Sequence, residues 1–472
     1  MSPKNEIKTL LISLLITISL LAGGVWWLKE TIFANKNSSS TTQTPPEKPP
    51  EHESLETRFS AGEKLLISTE GTSAKQGGVN AFAAGDYQKA VTELESSLAG
   101  KKNDPEALIY LNNARIGNNK ANTIAVIIPL GTNLDGSQEI LRGVAQAQNS
   151  INQQGGINGV PVKILIANDD NDPEIAKKIA LSLVEKPEVL GVIGHWSSDV
   201  TLATSSIYEE KKLVAISPIS TSVEISSAGD YIFRTVPSDR LVGSVLSRYQ
   251  INQLKKQKAA IFYHSKSNYS QSLKDQFTTA LFGDGGTVTE FDLARPNLNA
   301  ANDVQQATSQ GAEVLILMTT RDTLDQALQI IQVNEGKLPI LAGDGAYAPK
   351  ILQIGRSDAV GMVVAIPWHI LAHSQAEFVQ TAENLWGGDI NWRTAMSYDA
   401  MQALITALAK SPNPTRESVQ QALASPDFTA PGAAGEIRFL PSGDRNQPIQ
   451  LVTIKPGDRS GFGYDFVPIL SE

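Results

Sequence analysis

The stretch Leu190-Gly-Val-Ile-Gly-His-Trp-Ser-Ser-Asp-Val-Thr-Leu-Ala203 joins a short apolar run to a polar turn. Residues 190–193 predict a buried strand that ends at Gly194. Ser197 and Ser198 predict the start of a helix, because a serine hydroxyl accepts a hydrogen bond from a backbone N–H that is otherwise unpaired there. A helix N-terminus also carries about half a positive charge, so the turn is a candidate anion site. The alternative is that the serines only cap the helix.

Length and composition narrow the classes of protein that fit. A chain of 472 residues has room for about three domains. Its net charge of −9 argues against a nucleic-acid partner, which needs a concentrated basic surface. The absence of cysteine excludes disulfides, thiol catalysis, zinc–thiolate sites and iron–sulfur clusters.

The N-terminal residues predict a membrane segment followed by a linker. Residues 10–28 carry no charge, lysines precede them and two tryptophans lie near their end. This length matches a bilayer core, so residues 1–34 predict a transmembrane anchor that places the body outside the cytoplasm. A cleaved signal peptide is the alternative. Residues 35–54 are rich in Pro, Ser and Thr and predict a disordered linker.

Residues 55–118 predict a small all-α segment. The small residues Ala83 and Ala90, with Tyr87 between them, resemble a tetratricopeptide repeat over about one unit. Such a unit needs neighbours to bury its apolar faces. Two interpretations remain open, namely a docking surface for a partner protein and a helical spacer packed on the next domain.

From residue 122 the pattern alternates between strand and helix. Apolar strands at residues 124–129 and 162–167 are separated by helical periodicity at residues 138–152, and the alternation restarts after residue 237. Units of this kind imply parallel sheets covered by helices on both faces. Two such blocks without a long linker predict an α/β protein with two lobes that face each other across a cleft.

Several motifs carry a family resemblance. They are Gly155-Gly-Ile-Asn-Gly159, Asn168-Asp-Asp-Asn-Asp-Pro173, Val192-Ile-Gly-His-Trp-Ser-Ser198, Ile216-Ser-Pro-Ile-Ser-Thr221, Phe233-Arg-Thr-Val-Pro237, Asn268-Tyr-Ser270, Gly343-Asp-Gly345, Val360-Gly-Met-Val-Val-Ala-Ile-Pro367 and Gly435-Glu-Ile-Arg-Phe-Leu-Pro-Ser-Gly-Asp444. In this order and spacing they resemble the type I periplasmic binding proteins, specifically the leucine/isoleucine/valine-binding receptors of ABC transporters.

The resemblance implies a division of residues 122–472 into two parallel-sheet, Rossmann-like lobes joined by three hinge crossings. Lobe 1 is expected at about 122–240 plus 368–435. Lobe 2 is expected at about 241–367 plus 436–472. A small ligand would bind between them.

The resemblance also implies which groups hold the ligand carboxylate. In the family, the serine turn and the following Ser-Pro-x-x-Thr turn bind it. On this chain those positions are Ser198 with Ser197 beside it, and Thr221 with the backbone of Ile219 and Ser220. Hydroxyls and N–H groups at strand ends suit an anion.

Two further positions complete the implied site. Tyr269 stands where the family has an aromatic residue that covers the ligand from the second lobe. Asp344 stands where the family has an acid for the α-ammonium, and a shielded carboxylate forms a charge-assisted bond to an amine. The alternative for Asp344 is a simple turn residue before Gly345.

Three positions depart from an aliphatic binder. Thr320 stands where such proteins often have tyrosine, Trp196 is bulkier than expected, and Asp135 lies near another wall position. A more polar wall leaves room for polar amino acids, amides or short peptides. The alternative for Thr320 and Asp135 is an exposed loop.

Other candidate chemistry is weak. His369 and His373 lie four residues apart but lack a nearby carboxylate or cysteine to complete a metal site. The acidic residues 169–172 lack the glycine and terminal glutamate of an EF-hand. The sequence also lacks a phosphate loop and a Gly-x-Ser-x-Gly motif. We therefore expect neither an enzyme nor a cofactor.

The sequence is best interpreted as a membrane-anchored, extracytoplasmic solute-binding protein for an amino-acid-like ligand. Its expected partner is an ABC permease or another membrane protein. The alternative is a regulatory or sensor protein, because a helical segment ahead of this fold is also similar to the outer-membrane activators of peptidoglycan synthases.

Overall fold

The computed structural model describes residues 54–433 and 435–469. The predicted membrane segment at residues 1–34 and the predicted linker at residues 35–54, except Ser54, lie outside the described residues. Within the described ranges, no helix is long and apolar enough to cross a bilayer. The described residues from 55 onwards form one compact unit, to which the following description applies.

The N-terminal part of this unit is helical. Its elements are β1 (Phe59–Ser60), α1 (Ser73–Ala83), α2 (Tyr87–Gly100) and α3 (Pro105–Ile116). The three helices begin after Thr72, Asp86 and Asp104, whose side-chain oxygens each accept a backbone N–H three residues further on. These caps satisfy donors that a helix start leaves unpaired.

The first lobe is built around a six-stranded sheet in the order β1-β3-β2-β4-β5-β6. Its next elements are β2 (Asn122–Ile128), α4 (Leu134–Gln153), β3 (Val162–Asn168), α5 (Pro173–Val184), β4 (Val189–Ile193), α6 (Ser198–Glu210), β5 (Ala215–Ser217) and β6 (Ile232–Arg234). All neighbouring strands are parallel except β1 with β3. Every residue of β2 is buried, because this central strand lies between helical layers.

The N-terminal helices form a layer of the first lobe. Helix α3 packs against α4, and residues of both contribute to one apolar core. The Asn113 side chain donates to the carbonyls of Ile164 and Ala61 (both 2.7 Å) and accepts the Ile164 N–H (3.1 Å). The segment is therefore packed on the following domain, in agreement with the spacer interpretation. Its resemblance to a tetratricopeptide repeat stays a prediction.

The second lobe follows from residue 239. Its elements are α7 (Asp239–Arg248), β7 (Lys258–Tyr263), α8 (Asn268–Gly283), β8 (Thr287–Asp292), α9 (Ala300–Ser309), β9 (Val314–Met318), α10 (Leu324–Asn334), β10 (Ile340–Ala342) and β11 (Val363–Ile366). The chain then forms α11 (Glu377–Trp386), α12 (Trp392–Ala409), α13 (Arg416–Leu423), β12 (Ala430–Gly432), β13 (Gly435–Ile437), β14 (Gln450–Pro456) and β15 (Tyr464–Pro468).

The sheet of the second lobe is mixed, in the order β15-β14-β11-β10-β9-β7-β8. The expectation of parallel sheets is wrong for its C-terminal edge, where β14 runs antiparallel to both β11 and β15. Residues 457–463 join β14 to β15, and so short a connection forms a hairpin rather than a parallel crossover. In the first lobe, β1 is likewise an antiparallel edge strand.

The chain passes between the lobes three times. The crossings lie at residues 235–238, 367–376 and 438–449. Helix α7 packs against α8 of the second lobe, so the predicted boundary near residue 240 falls in the first turn of α7. Helix α12 packs against α4 in the first lobe. The loops after β4 and β5 thereby come to face α8.

A buried ion cluster stabilises the N-terminal helices and yields a stability prediction. The Lys75 ammonium is fully buried 2.8 Å from carboxylate oxygens of both Asp104 and Glu106. We expect Lys75→Met to lower the free energy of unfolding by about 3–5 kcal/mol, because it leaves two buried carboxylates without a cation. Urea unfolding followed by circular dichroism measures the change.

The control is Lys177→Met, which removes the exposed partner of Glu174 and is expected to cost less than about 1 kcal/mol. Equal effects of the two substitutions would contradict a stabilising role for the buried cluster.

Candidate ligand-binding cleft

The serine turn lies between β4 and α6. Ser197 is the N-cap of α6, and its hydroxyl accepts the Val200 N–H (3.3 Å). Ser198 is the first helical residue, and its buried hydroxyl accepts the Ser222 N–H (3.2 Å). Ser197 therefore acts as the helix cap, whereas the Ser198 hydroxyl links the two predicted binding loops and keeps its own proton for donation.

A buried network of side chains packs beneath the backbone of the serine turn and holds it in place through His195. His195 contacts Asp169 through Nδ1 (2.7 Å) and Tyr208 through Nε2 (3.0 Å). Its carbonyl accepts the Ser217 hydroxyl (3.0 Å), and all four side chains are buried. Burial raises the pKa of the Tyr208 hydroxyl well above its ordinary value, so Tyr208 stays neutral. Asp169 thus helps to position the turn.

The second binding loop follows β5. The N–H groups of Ile219 and Ser220 both donate to Ser217 Oγ (3.4 and 3.0 Å), so they are engaged inside the loop. Their role in binding a ligand carboxylate stays a prediction. Ser220 Oγ is paired with Thr201 Oγ1 (2.8 Å). By contrast, the buried Thr221 hydroxyl lies near the Asp239 carboxyl and forms no hydrogen bond of good geometry.

The second lobe contributes a tyrosine and an acid that touch each other. Tyr269 on α8 donates its hydroxyl to Asp344 Oδ1 (2.8 Å), and the Gly345 N–H donates to the same hydroxyl (3.2 Å). Burial raises the pKa of Asp344, while the bond from Tyr269 and the charge of Arg393 oppose that shift. The structure therefore brings together two of the residues that the sequence assigned to the ligand.

Sequence reasoning missed Asp239, the first residue of α7. Its side chain is fully buried, and neither carboxylate oxygen has a hydrogen-bond partner of good geometry. Burial raises the pKa of Asp239 to about 7, against the lowering effect of the Ser272 and Thr221 hydroxyls, and the Asp344 charge adds to the increase. The sequence feature that could have identified Asp239 is its position just after the Phe233–Pro237 motif.

Sequence reasoning also missed Arg393, the second residue of α12. Its guanidinium lies 4.3 Å from the Trp392 ring centre and 5.5 Å from that of Trp196. It donates to the Tyr347 carbonyl (3.3 Å). Burial lowers the pKa of Arg393, while the Asp344 charge opposes this shift.

The three positions that depart from the family pattern have different surroundings. Trp196 packs so closely on α4 that a Cβ at Gly136 would lie 2.5 Å from its ring. Thr320 is paired through its hydroxyl with His264 Nδ1 (2.9 Å). Asp135 is exposed in the first turn of α4 and is not part of the buried cluster, because a helix start projects this position towards solvent.

The two lobes contact each other directly around the cleft. Helix starts provide two of the acceptors, namely Asn133 before α4 and Asp199 in α6. The interlobe bonds include Arg321 Nη1 to Asn133 Oδ1 (2.7 Å), Asn268 N–H to Asp199 Oδ1 (3.1 Å), Val223 N–H to Ser272 Oγ (3.0 Å) and Arg393 Nη1 to the Tyr347 carbonyl. The lobes are therefore in a closed arrangement.

The predicted histidine pair packs among aromatic rings, and the His369 ring lies edge-on to Tyr347 with 6.1 Å between ring centres. Burial lowers the pKa of His369 to about 4, and the His373 ring stacks on Trp368. Across residues 54–433 and 435–469, no group of three or more His, Asp or Glu side chains is arranged to hold a metal ion.

The fold and the matched sequence define the family. The model of the family described as periplasmic binding protein matches residues 122–460. The chain belongs to this family, which confirms the resemblance to the type I periplasmic binding proteins. The match begins after the N-terminal helices.

Relatives match different shares of the chain. An amino acid binding protein of Pseudomonas aeruginosa is 36% identical over 146 residues, which are 31% of this chain and 39% of that protein. The leucine-specific-binding protein of Salmonella typhimurium is 26% identical over 275 residues, 57% of this chain and 73% of that protein. The chain spans about two fifths of the length of the first curated relatives it matches.

Solved structures share the two-lobed fold. An ABC transporter substrate-binding protein of Desulfitobacterium hafniense in complex with Leu matches with a TM-score of 0.64 at 24% identity, and covers 74% of this chain and 100% of its own. A leucine binding protein of Thermotoga maritima matches with a TM-score of 0.65 at 22% identity, covering 73% and 97%. The family and these relatives are binding proteins and not enzymes, as expected.

The buried Asp239 carboxyl yields a pH prediction. Its pKa is about 7 in the folded protein but about 4 when unfolded, so the folded state binds the proton more tightly. With respect to this group, stability is highest below about pH 4 and falls as the pH rises to about 7. Asp239→Asn removes this titration. We therefore expect the free energy of unfolding of the variant minus that of wild type to increase by about 2–4 kcal/mol between pH 4 and 7.5.

Urea unfolding of the ligand-free protein at each pH measures this difference. The control is Asp427→Asn at an exposed position, where no such trend is expected. The same pH profile for wild type and Asp239→Asn would show that the carboxyl does not titrate in this range.

Proposed function

We propose that this protein is an extracytoplasmic solute-binding protein that captures an amino acid or a similar small zwitterion between its lobes. The observation that carries the proposal is the arrangement of complementary groups across one cleft. The first lobe offers the Ser198 and Thr221 hydroxyls, and the second offers Tyr269 with Asp344.

The chemistry of these groups suits the two charged ends of a zwitterion. The Ser198 and Thr221 hydroxyls donate to the ligand carboxylate, which also lies in the favourable field of the α6 N-terminus. Asp344 accepts the α-ammonium in a charge-assisted bond. Asp239 lies within electrostatic range of Asp344 and adds negative potential for the cation. A ligand ammonium thereby compensates carboxylates that are costly to bury alone.

Closure follows from contacts to both lobes. A ligand that bonds to Thr221 and Asp344 together binds the closed arrangement better than the open one, and so shifts the population towards it. The closed form then presents a surface for an ABC permease. Residues 1–34 hold the protein at the membrane, with the body on the periplasmic side, or are removed as a signal peptide.

The names of the relatives support an amino acid as the ligand. Those relatives include an amino acid binding protein, a leucine-specific-binding protein and a substrate-binding protein in complex with Leu. Thr320 and Arg393 make the wall of this cleft more polar than an aliphatic side chain requires. The ligand class therefore includes polar amino acids and amides.

Thermal unfolding of the full-length protein in mild detergent tests the proposal. The panel consists of the twenty amino acids, small amides and short peptides. A ligand present at about 100 times its dissociation constant adds about 2.7 kcal/mol to the stability, which is a readable shift. If no compound of the panel shifts the unfolding temperature, with the protein folded and free of co-purified ligand, the result would favour a regulatory or sensor protein.

Substitutions then test the site with the ligand so found. We expect Ser198→Ala and Asp344→Ala each to weaken binding by about 2–5 kcal/mol, because each leaves a buried ligand charge without its partner. Isothermal titration calorimetry measures the affinity, and Asp427→Asn is the exposed control. Unchanged affinity in both cleft variants would refute the assignment of the site.

A further inference from the structure

Arg393 is a half-buried cation whose hydrogen-bonding capacity is only partly used. Its Nε is buried without a partner, and its Nη1 donates to the Tyr347 carbonyl (3.3 Å). It forms no salt bridge with a carboxylate of the described residues. Because an unpaired buried donor is costly, a charged donor in this position calls for an acceptor.

The nearby carboxylates are already engaged elsewhere. Glu139 accepts bonds from Arg142 and from the Thr394 hydroxyl. Asp344 accepts the Tyr269 hydroxyl. Both acids contribute to the electrostatic environment of Arg393 without forming an ion pair with it. Among the described residues, no carboxylate forms an ion pair with this guanidinium, so it remains available to an acceptor on a ligand.

Aromatic rings hold the guanidinium in place. Trp392 and Trp196 lie 4.3 and 5.5 Å from it, and a planar guanidinium is stabilised over such rings. Trp196 precedes the serine turn, so the cation is anchored beside the proposed ligand groups of the first lobe. Tyr347, its hydrogen-bond partner, follows Asp344 in the second lobe. Arg393 therefore lies at the same interlobe cleft.

We propose that Arg393 is a specificity-determining residue that donates to an oxygen at the end of the ligand side chain. The ligand class is then amino acids that carry a side-chain amide or carboxylate, rather than branched aliphatic ones. This assignment rests on the proposed function, in which Ser198, Thr221 and Asp344 hold the α-carboxylate and α-ammonium. A site with a buried donor rejects ligands without an acceptor, because the donor is left unpaired.

Calorimetry with the full-length protein in mild detergent tests the assignment. The probes are glutamine and glutamate, which have a terminal acceptor, and methionine and leucine, which do not. Glutamine or glutamate is expected to bind at least about 10-fold more tightly than methionine and leucine. Which of the two binds more tightly distinguishes an amide ligand from a carboxylate ligand.

Variants of Arg393 separate recognition from structure. Arg393→Met is expected to weaken binding of the preferred ligand about 10- to 100-fold and to leave methionine and leucine within about 3-fold of wild type. Arg393→Lys should recover only part of the loss, because an ammonium lacks the planar fork. Arg438→Met removes an exposed guanidinium and is the control. Thermal unfolding verifies that each variant is folded.

The outcomes distinguish this inference from the proposed function. Leucine or methionine binding as tightly as glutamine and glutamate to wild type would overturn the role of Arg393 while keeping the amino acid receptor. Equal weakening of all four ligands by Arg393→Met would show a structural role instead. Absence of binding by every amino acid would overturn the proposed function and this assignment together.

Discussion

The burial of Asp239 and Asp344 at one cleft is the constraint around which the site is organised. Two carboxylates away from water favour protonation, and each raises the cost of ionising the other. The Tyr269 hydroxyl and the Arg393 charge offset this cost for Asp344. Asp239 lacks comparable hydrogen bonds. The negative charge on the acidic side of the cleft is thus only partly compensated by the protein. A positively charged ligand group is therefore stabilised there.

Local chemistry made part of this architecture predictable. The end of β4, the cap at Ser197 and the start of α6 follow from an apolar run, a glycine and two serines in sequence. In the structure β4 ends at Ile193 and α6 begins at Ser198. The alternation of strand and helix likewise gave two lobes. These features depend on neighbours within one helical turn or one strand.

The features that the sequence did not predict depend on contacts between residues that are distant along the chain. Asp239 lies at the cleft because it follows the first crossing between the lobes, and Arg393 lies there because α12 returns to the first lobe. Neither residue belongs to a local sequence motif. The N–H groups of Ile219 and Ser220 bond to Ser217, a competition that the motif alone does not reveal. The antiparallel β14 and the two-residue β1 are specified by their sheet partners rather than by periodicity.

The pairing of β1 and Asn113 with β3 has a consequence for solubility. A strand at the edge of a sheet presents a row of unpaired N–H and C=O groups on which another chain can assemble. Here β1 has two residues and pairs with Ala167 and Ile166, while the Asn113 amide occupies both backbone groups of Ile164. The N-terminal helices therefore shield this edge from strand addition and oppose intermolecular β-aggregation of the first lobe.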